Sequence, residues 1–369
     1  MISIQIITLE NLADFVKSDL YLSFTDKPIS LLRVTSYIHN PNGKPNDIVL
    51  YMAFKDGILV GYRTILSDAF ISDDKKVFFG WLSGNWVHPE YRRQNISTLL
   101  FNGVFKDWQG QLMYTNYAEA SKAVYDKTTH FLSLKKLQGF RYYQRMSLAE
   151  LLAPKALFFK KIKPVLSFGD WILNGFLDLR FTKTKTVLNN KDLQKITSIE
   201  TDVSTFLTTF KSDELFQRNT EIYQWIQHYP WIKTDKDTQS KADAYYFSSF
   251  AEVFDNSFYK ILNPKTKAII AVINIQIKDK KMKIPYLYAT ENGYNLASNF
   301  ILDLCKKQRL NYITIYDSKL NGLIQKSNPP FLFKKTFEQQ FFVSKTLLNN
   351  NTTMPFKNIQ TGDGDGVFS

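Results

Sequence analysis

From Ile48 to Phe70 the chain reads IVLYMAFKDGILVGYRTILSDAF, two β-prone apolar runs meeting at Lys55, Asp56 and Gly57. An Asp-Gly pair between such runs predicts a hairpin, because both residues tolerate the positive φ that a tight turn demands. A third strand is expected at VFFGWLSGNWV, residues 77–87, after the polar turn SDDKK. Beyond it Ile96, Leu99, Leu100, Gly103 and Val104 recur at helical spacing, so a strand, a tight turn and a helix follow one another. Upstream, residues 1–18 read as a short strand and a helix entered near Glu10 and Asn11. Downstream, QLMYTNY (111–117) is a short strand, a helix runs through Tyr125 with helical pattern to Lys136, and GFRYYQRMSL (139–148) is a closing strand.

The second half repeats this order. Residues 257–289 give three strands turning at NPKTK and KDKK, a helix follows from about Tyr294 to Arg309, then strand NYITIYD, short helix KLNGLIQK and strand FEQQFFVSKTL. Consecutive division gives a first domain over 1–150, a connection over 151–189, a second domain over 190–347 and a tail over 348–369. The connection, APKALFFKKIKPVLSFGDWILNGFLDLRFTK, sets Lys155, Lys160, Lys161 and Lys163 beside Phe, Leu and Trp171, the composition of an interfacial helix that contacts a membrane peripherally through 155–175. It equally fits an interdomain packing segment. IYQWIQHYPWI (222–232) likewise fits a substrate groove or the buried face of a helix.

The junction WVHPEYRRQNISTLLF (86–101) holds the candidate chemistry. A helix starting near Asn95 leaves its first N–H groups without intrahelical partners, and its dipole places partial positive charge there. Arg92 and Arg93 stand just before those donors, and Gln94, Asn95, Ser97 and Thr98 leave room for phosphate oxygens. A plain turn with two solvated arginines has the same local signature.

A net charge of +13 favours an anionic partner without choosing among nucleic acid, lipid and a phosphorylated small molecule. One cysteine, Cys305, excludes an internal disulfide, and its helical setting reads as a structural thiol. The four histidines have no metal-ligand spacing, so no metal is expected. No run approaches a membrane span and the N-terminus lacks a leader pattern, which makes a cytoplasmic location the simplest expectation.

The element order, the hairpin MAFKDGILVGYR and the motif VHPEYRRQNIS resemble the GCN5-related N-acetyltransferase (GNAT) superfamily over about residues 1–150. Val87, Pro89, Tyr91 and Arg92 match that family's loop, and Ile96 and Leu99 its helix face. The resemblance implies an α/β fold of tandem GNAT-like domains, each a mixed, mostly antiparallel central sheet flanked by helices. It further implies acetyl-CoA as co-substrate, with Arg92, Arg93, Gln94, Asn95, Ile96, Ser97 and Thr98 at the pyrophosphate and Val87 pairing with pantetheine. Two departures stand out: the family's first loop glycine is Asn95, and Ser97 replaces its closing small residue. The family's tyrosine position holds Lys135, which leaves Tyr125 as the substitute. The second copy, ATENGYNLAS, lacks the basic and glycine pattern and is expected to bind no coenzyme.

Acyl transfer needs a base for the acceptor amine, polarisation of the thioester and an acid for the thiolate. The resemblance implies polarisation by backbone N–H groups of the coenzyme strand, Tyr125 as the acid and a role for Asn116 at the site, and Asn85 is the further catalytic candidate on that strand. The coenzyme strand has no carboxylate, so Ser83 and Asn85 are read as ordering a water, with Asp68, Glu119 and Asp126 as possible bases. The tail ends GDGDGVFS, and its apolar Val367 and Phe368 suggest docking, which would bring Asp363, Asp365 or the Ser369 carboxylate into the cleft. The implied function is transfer of an acetyl group to an amine of a small molecule or peptide. Open beside it are aminoacyl transfer from charged tRNA, of the kind that builds peptide cross-bridges, and a non-catalytic binding protein on the same fold. The coenzyme-like loop argues against nucleic acid.

Overall fold

The computed structural model describes residues 1–115, 125–152, 156–179, 192–234, 244–327, 329 and 331–369. In chain order the elements are β1 (Ile2–Thr8), α1 (Leu12–Phe15), α2 (Asp19–Ser23), α3 (Leu31–Ile38), β2 (Ile48–Lys55), β3 (Ile58–Ser72), β4 (Lys75–Val87), α4 (Ile96–Asp107), β5 (Leu112–Thr115) and β6 (Phe131–Tyr143). Then come α5 (Leu148–Leu152), α6 (Leu157–Lys161), α7 (Lys163–Leu179), β7 (Leu193–Ile196), α8 (Thr201–Thr208), α9 (Thr220–His228), β8 (Ile232–Lys233), β9 (Ser249–Phe250) and β10 (Phe254–Leu262). The chain closes with β11 (Ile269–Lys278), β12 (Lys281–Ala289), α10 (Glu291–Lys307), β13 (Tyr312–Ile315), α11 (Ser318–Lys326), β14 (Phe333–Ser344) and α12 (Lys345–Asn349). Two compact units emerge, each discontinuous in sequence: residues 1–136, 208–252 and 339–369 form one, and 137–207 and 253–338 the other. Division by element order cuts the chain consecutively, whereas these units send residues 208–252 and the tail to the first.

In the first unit β1 to β4 form an antiparallel meander, and β5 adds in parallel to β4. Phe341–Val343 pair antiparallel with β5. The β2–β3 turn falls at Asp56 (φ 51°) and Gly57 (φ 79°), the left-handed geometry for which the pair was read. α4 buries Ile96, Leu100, Phe101 and Val104 against Tyr51, Ala53, Val60 and Ile65, the apolar stripe expected from its spacing. In α9, Ile222, Tyr223, Trp225 and Ile226 are buried, so these aromatics build core rather than line a groove. One segment departs from expectation: residues 131–136 are the start of strand β6, not helix. FLSLKK carries apolar residues at both periods, and a run this short takes whichever partner the fold supplies.

A bulge decides which way β4 points. Arg63 pairs with Asn85 and Ile65 with Leu82, so Ser83 and Gly84 together oppose Thr64. The extra residue puts Leu82 and Asn85 on the α4 face although their separation is odd, and turns Ser83 to the other side. Ser83 and Asn85 accordingly make separate contacts, Ser83 with Arg33 and Asp365 and Asn85 with Ser97.

In the second unit the end of β6 pairs with β13, followed by β12, β11, β10 and β7, all antiparallel except β12–β13. α10 buries Ala297, Phe300, Ile301 and Cys305 in this core, and burial pushes the Cys305 thiol well above its usual range, as an inert structural cysteine requires. Gly293 lets α10 touch β11: a Cβ there would lie 2.1 Å from the Ile270 carbonyl oxygen. Gly293→Ala is accordingly expected to destabilise the protein by about 1–3 kcal/mol in a denaturant melt, because the clashing atom is backbone and cannot rotate away.

Candidate functional site

Between β4 and α4 the chain makes a short 3-10 turn at Pro89–Tyr91 and then places Arg93 (φ 64°) and Asn95 (φ 58°) in left-handed geometry. Asn95 tolerates this better than most residues, which is how the loop forms without the family's glycine. Its side chain makes no cap, so the first-turn N–H groups of α4 find no side-chain acceptor on their own cap residue. Among the described residues, six other α-helices are capped by a side chain at their N-cap: Ser18, Ser30, Asn219, Thr290, Asp317 and Ser344. The equivalent start in the second half is closed this way, Thr290 accepting from the Gly293 N–H at 3.2 Å.

Arg92, Arg93, Gln94, Asn95 and Thr98 are exposed around the α4 start, while Ile96 is buried beneath it. Lys55 reaches in from β2 and donates to Gln94 Oε1 at 3.2 Å, adding a third cation. Beside the loop, β4 pairs with β5 only at Gly80–Trp81, so its stretch from Leu82 to Val87 has no partner on that edge among the described residues. Backbone groups there are open to an extended ligand arm.

Under the loop lies a group the sequence reading missed. Arg63, fully buried on β3, donates from Nη1 to the Tyr125 hydroxyl at 2.7 Å and lies 3.5 Å from Ser97 Oγ, in the first turn of α4. Its Nε has no partner, and among the described residues no carboxylate pairs with it. Its remaining neighbours are the faces of Phe101 and Tyr125. Asn85 donates to Ser97 Oγ at 3.1 Å, which completes a cluster of Arg63, Asn85, Ser97 and Tyr125. Leaving a guanidinium in the dry interior without an anion costs several kcal/mol, so the cluster is an anion site in its chemistry. The available signal was an arginine inside the apolar strand ILVGYRTIL.

On the opposite face the tail docks. Val367 and Phe368 are buried, Phe368 against Trp225 and Trp231, with its carbonyl accepting from the Trp231 N–H at 2.7 Å. Asp365 accepts from Ser83 Oγ at 2.5 Å, and Ser83 accepts from Arg33 at 2.8 Å. A carboxylate thus reaches β4, the strand that has none of its own. Arg33 lies over the Trp231 ring, and burial pushes the nearby Tyr245 hydroxyl up to about 12. Asp363 and Asp68 are committed elsewhere: Arg218 makes two bonds to Asp68 (2.6 and 2.8 Å) and one to Asp363 (3.2 Å), all three buried. Trp81 Nε1 and Asn42 also donate to Asp68. Neither Asp68 nor Asp363 is a free base.

Of the residues singled out from sequence, Asn85, Ser97 and Tyr125 are brought together, and Arg92 to Thr98 surround one helix start. Val87 offers its carbonyl to Arg92 Nε at 3.4 Å. Asn116 and Glu119 lie outside the described residues. No group of acidic, histidine or cysteine residues suited to a metal occurs among the described residues, and none of their helices is long and apolar enough to cross a membrane.

Residues 10–131 match the model of the acetyltransferase (GNAT) family. No curated protein matches the chain. Among solved structures, it is similar to a conserved protein of unknown function from Enterococcus faecalis V583, a probable N-acyltransferase, at 9% identity and TM-score 0.53, covering 94% of this chain and 73% of that one. It is also similar to a GCN5-related N-acetyltransferase from Anabaena variabilis ATCC 29413, at 11% identity and TM-score 0.50, covering 93% and 72%. At these identities the likeness shows a shared fold.

Proposed function

Because residues 10–131 match the model of the GNAT acetyltransferase family, we propose that the protein is an N-acyltransferase that takes an acetyl group from acetyl-CoA and delivers it to an amine. The observation that carries this reading is the buried Arg63 guanidinium, without an acidic partner among the described residues, at the start of α4, where Asn95 makes no side-chain cap. Arg92, Arg93, Lys55 and the first-turn N–H groups would hold the pyrophosphate, and the edge of β4 from Leu82 to Val87, which has no partner among the described residues, would hold the pantetheine arm. The donor, when bound, supplies an activated thioester carbonyl.

The chain's own residues then divide the remaining work. Arg63 donates to the Tyr125 oxygen and would stabilise the charge left there when Tyr125 gives its proton to the departing thiolate. On the other face of β4, Asp365, which accepts from Ser83 beside Arg33, would take the proton of an acceptor amine. That the tail supplies this group also explains why a terminal segment buries Val367 and Phe368.

Calorimetric titration with acetyl-CoA tests the donor half. One-site binding is expected, weakened about tenfold to a hundredfold in Arg92→Ala/Arg93→Ala by loss of charge-assisted phosphate contacts. Absence of saturable binding at millimolar donor removes the acyl-CoA reading. Asp365→Asn tests the acceptor half: the donor affinity is expected to hold while turnover of a responsive amine falls about 10²-fold or more. Unchanged turnover would take the base role away from the tail.

A further inference from the structure

Helix α7 (Lys163–Leu179) is turned inside out. Its inward face is polar: Asp170 accepts from the Leu148 and Ala149 N–H groups, both at 2.9 Å, and caps α5. Asn174 accepts from the Met146 N–H at 2.8 Å and donates to the Met146 carbonyl at 2.9 Å. One turn further on, Asp178 pairs with Arg145 at 2.8 Å. These three hooks sit at i, i+4 and i+8, so they share one face of the helix and fix its rotation. The rest of the circumference must then face out, and it is apolar: Val165 (69% exposed), Phe168 (61%), Trp171 (71%) and Phe176 (70%), with Ile172 between them. A helix packed for a core does the reverse.

The outward side chains together present on the order of 500 Å² of apolar surface, beyond the patch most monomeric proteins leave in water. The surface is convex and carries no charge between Val165 and Gly169, with Asp170 turned inward. Just before it, α6 and the start of α7 contribute Lys160, Lys161 and Lys163, all exposed, together with the exposed ring of Phe158. From Leu151 to Gly169 the sequence has four lysines and no acidic residue. Cations beside an aromatic and aliphatic face complement an anionic bilayer, whose headgroups take the lysines and whose acyl boundary takes Trp171, Phe168 and Phe176. A helix of 17 residues is too short to cross a bilayer but long enough to lie in its surface.

We propose that α6 and α7 seat the protein on an anionic lipid surface, with α7 lying in the interfacial plane. Both members of the pair are then used: the polar hooks keep the helix attached to its own unit, and the apolar arc enters the lipid.

The test is flotation of the full-length protein with vesicles of phosphatidylcholine alone or with about one-third phosphatidylglycerol, the latter composition chosen to supply the anionic surface. Co-flotation is expected with the anionic vesicles and should fall sharply at high salt. Trp171→Glu/Phe176→Ser should reduce partitioning about tenfold or more, and Lys160→Gln/Lys161→Gln/Lys163→Gln should reduce it on anionic vesicles only. Thermal melts should be unchanged by these exposed substitutions, which separates a lost surface from a lost fold. Failure of the native protein to float with anionic vesicles overturns the proposal. So does equal flotation of the Trp171/Phe176 variant, or a concentration-dependent dimer in light scattering that this variant dissolves without any vesicle binding, which would assign the face to a second copy.

Discussion

Replacing Arg63 by Met is expected to stabilise the fold while removing affinity for an anionic donor. The two effects point in opposite directions because the guanidinium is buried without a carboxylate partner among the described residues. Methionine fills much of the same volume without a charge to desolvate, and replacing buried ionic groups by apolar ones ranges from neutral to a gain of about 1–4 kcal/mol. Part of that is returned, about 1 kcal/mol, because the Tyr125 hydroxyl loses its 2.7 Å partner. A net rise of about 1–2 kcal/mol should appear as a higher melting temperature. Titration of the same variant with acetyl-CoA should show affinity reduced by a hundredfold or more, the loss of a buried charge-assisted contact. Arg63→Lys keeps the charge and should retain part of the binding but lose the Tyr125 contact geometry. A melt lowered by more than about 2 kcal/mol in Arg63→Met would mean that the surrounding dipoles already satisfy the cation, and the anion site would lose its basis.

Arg218→Met should have the opposite consequence, a loss of about 3–5 kcal/mol and release of the tail, because it leaves Asp68 and Asp363 buried without their shared cation. The two carboxylates are unequal partners. Arg218 grips Asp68 with two bonds, and Trp81, Asn42 and the Ala69 N–H add three more, so burial is outweighed and Asp68 is held below the usual carboxylate range. Asp363 has one longer bond to the same cation, and burial pushes it up to about 6. Glu214, which lies near Asp363, is pushed up to about 8, by burial first and by the Asp363 charge second.

The sign for these two raised groups follows from proton binding: between their unfolded values near 4 and these folded values the native state holds more protons, so their stability contribution is present at low pH and lost as pH rises. Asp68 runs the other way, contributing above its unfolded value and losing its contribution as pH falls. The tail should therefore be held best near pH 4 and loosen progressively from there toward pH 8. Hydrogen exchange over residues 358–369, corrected for intrinsic rate, is the measurement. Asp363→Asn with Glu214→Gln should flatten the pH dependence, and protection that is flat in the native protein would show that these carboxylates do not couple to docking.

Most of the elements were legible before any coordinates. The hairpin at Asp56–Gly57 and the α4 stripe are set by interactions between neighbours in the chain, namely turn geometry and helical spacing, and such local preferences are carried by the residues themselves. The start of α4 was legible too, since Asn95 takes the left-handed geometry that its short polar side chain permits. Even the docking of the 361–369 segment was visible, because apolar Val367 and Phe368 cost free energy if they stay in water.

What the sequence could not yield were the outcomes that depend on partners far away along the chain. The bulge at Ser83 and Gly84 reverses the expected alternation, and only the pairing with β3 reveals it. Arg63 is an ordinary arginine until β3 is enclosed and its guanidinium is buried with no carboxylate pairing with it among the described residues. Phe131 to Lys136 could have been helix or strand by pattern, and the fold chose strand. Helix α7 has the same amphipathic sequence whichever side faces inward; the hooks at Asp170, Asn174 and Asp178 decide it. Asp365 reaches Ser83 across 282 positions, and closing a loop of that length is an outcome of the whole core and not of any local preference. The residues alone determined which elements form and where a ligand anion could be received; tertiary packing decided which charges are buried, which are paired and which face is left to the outside.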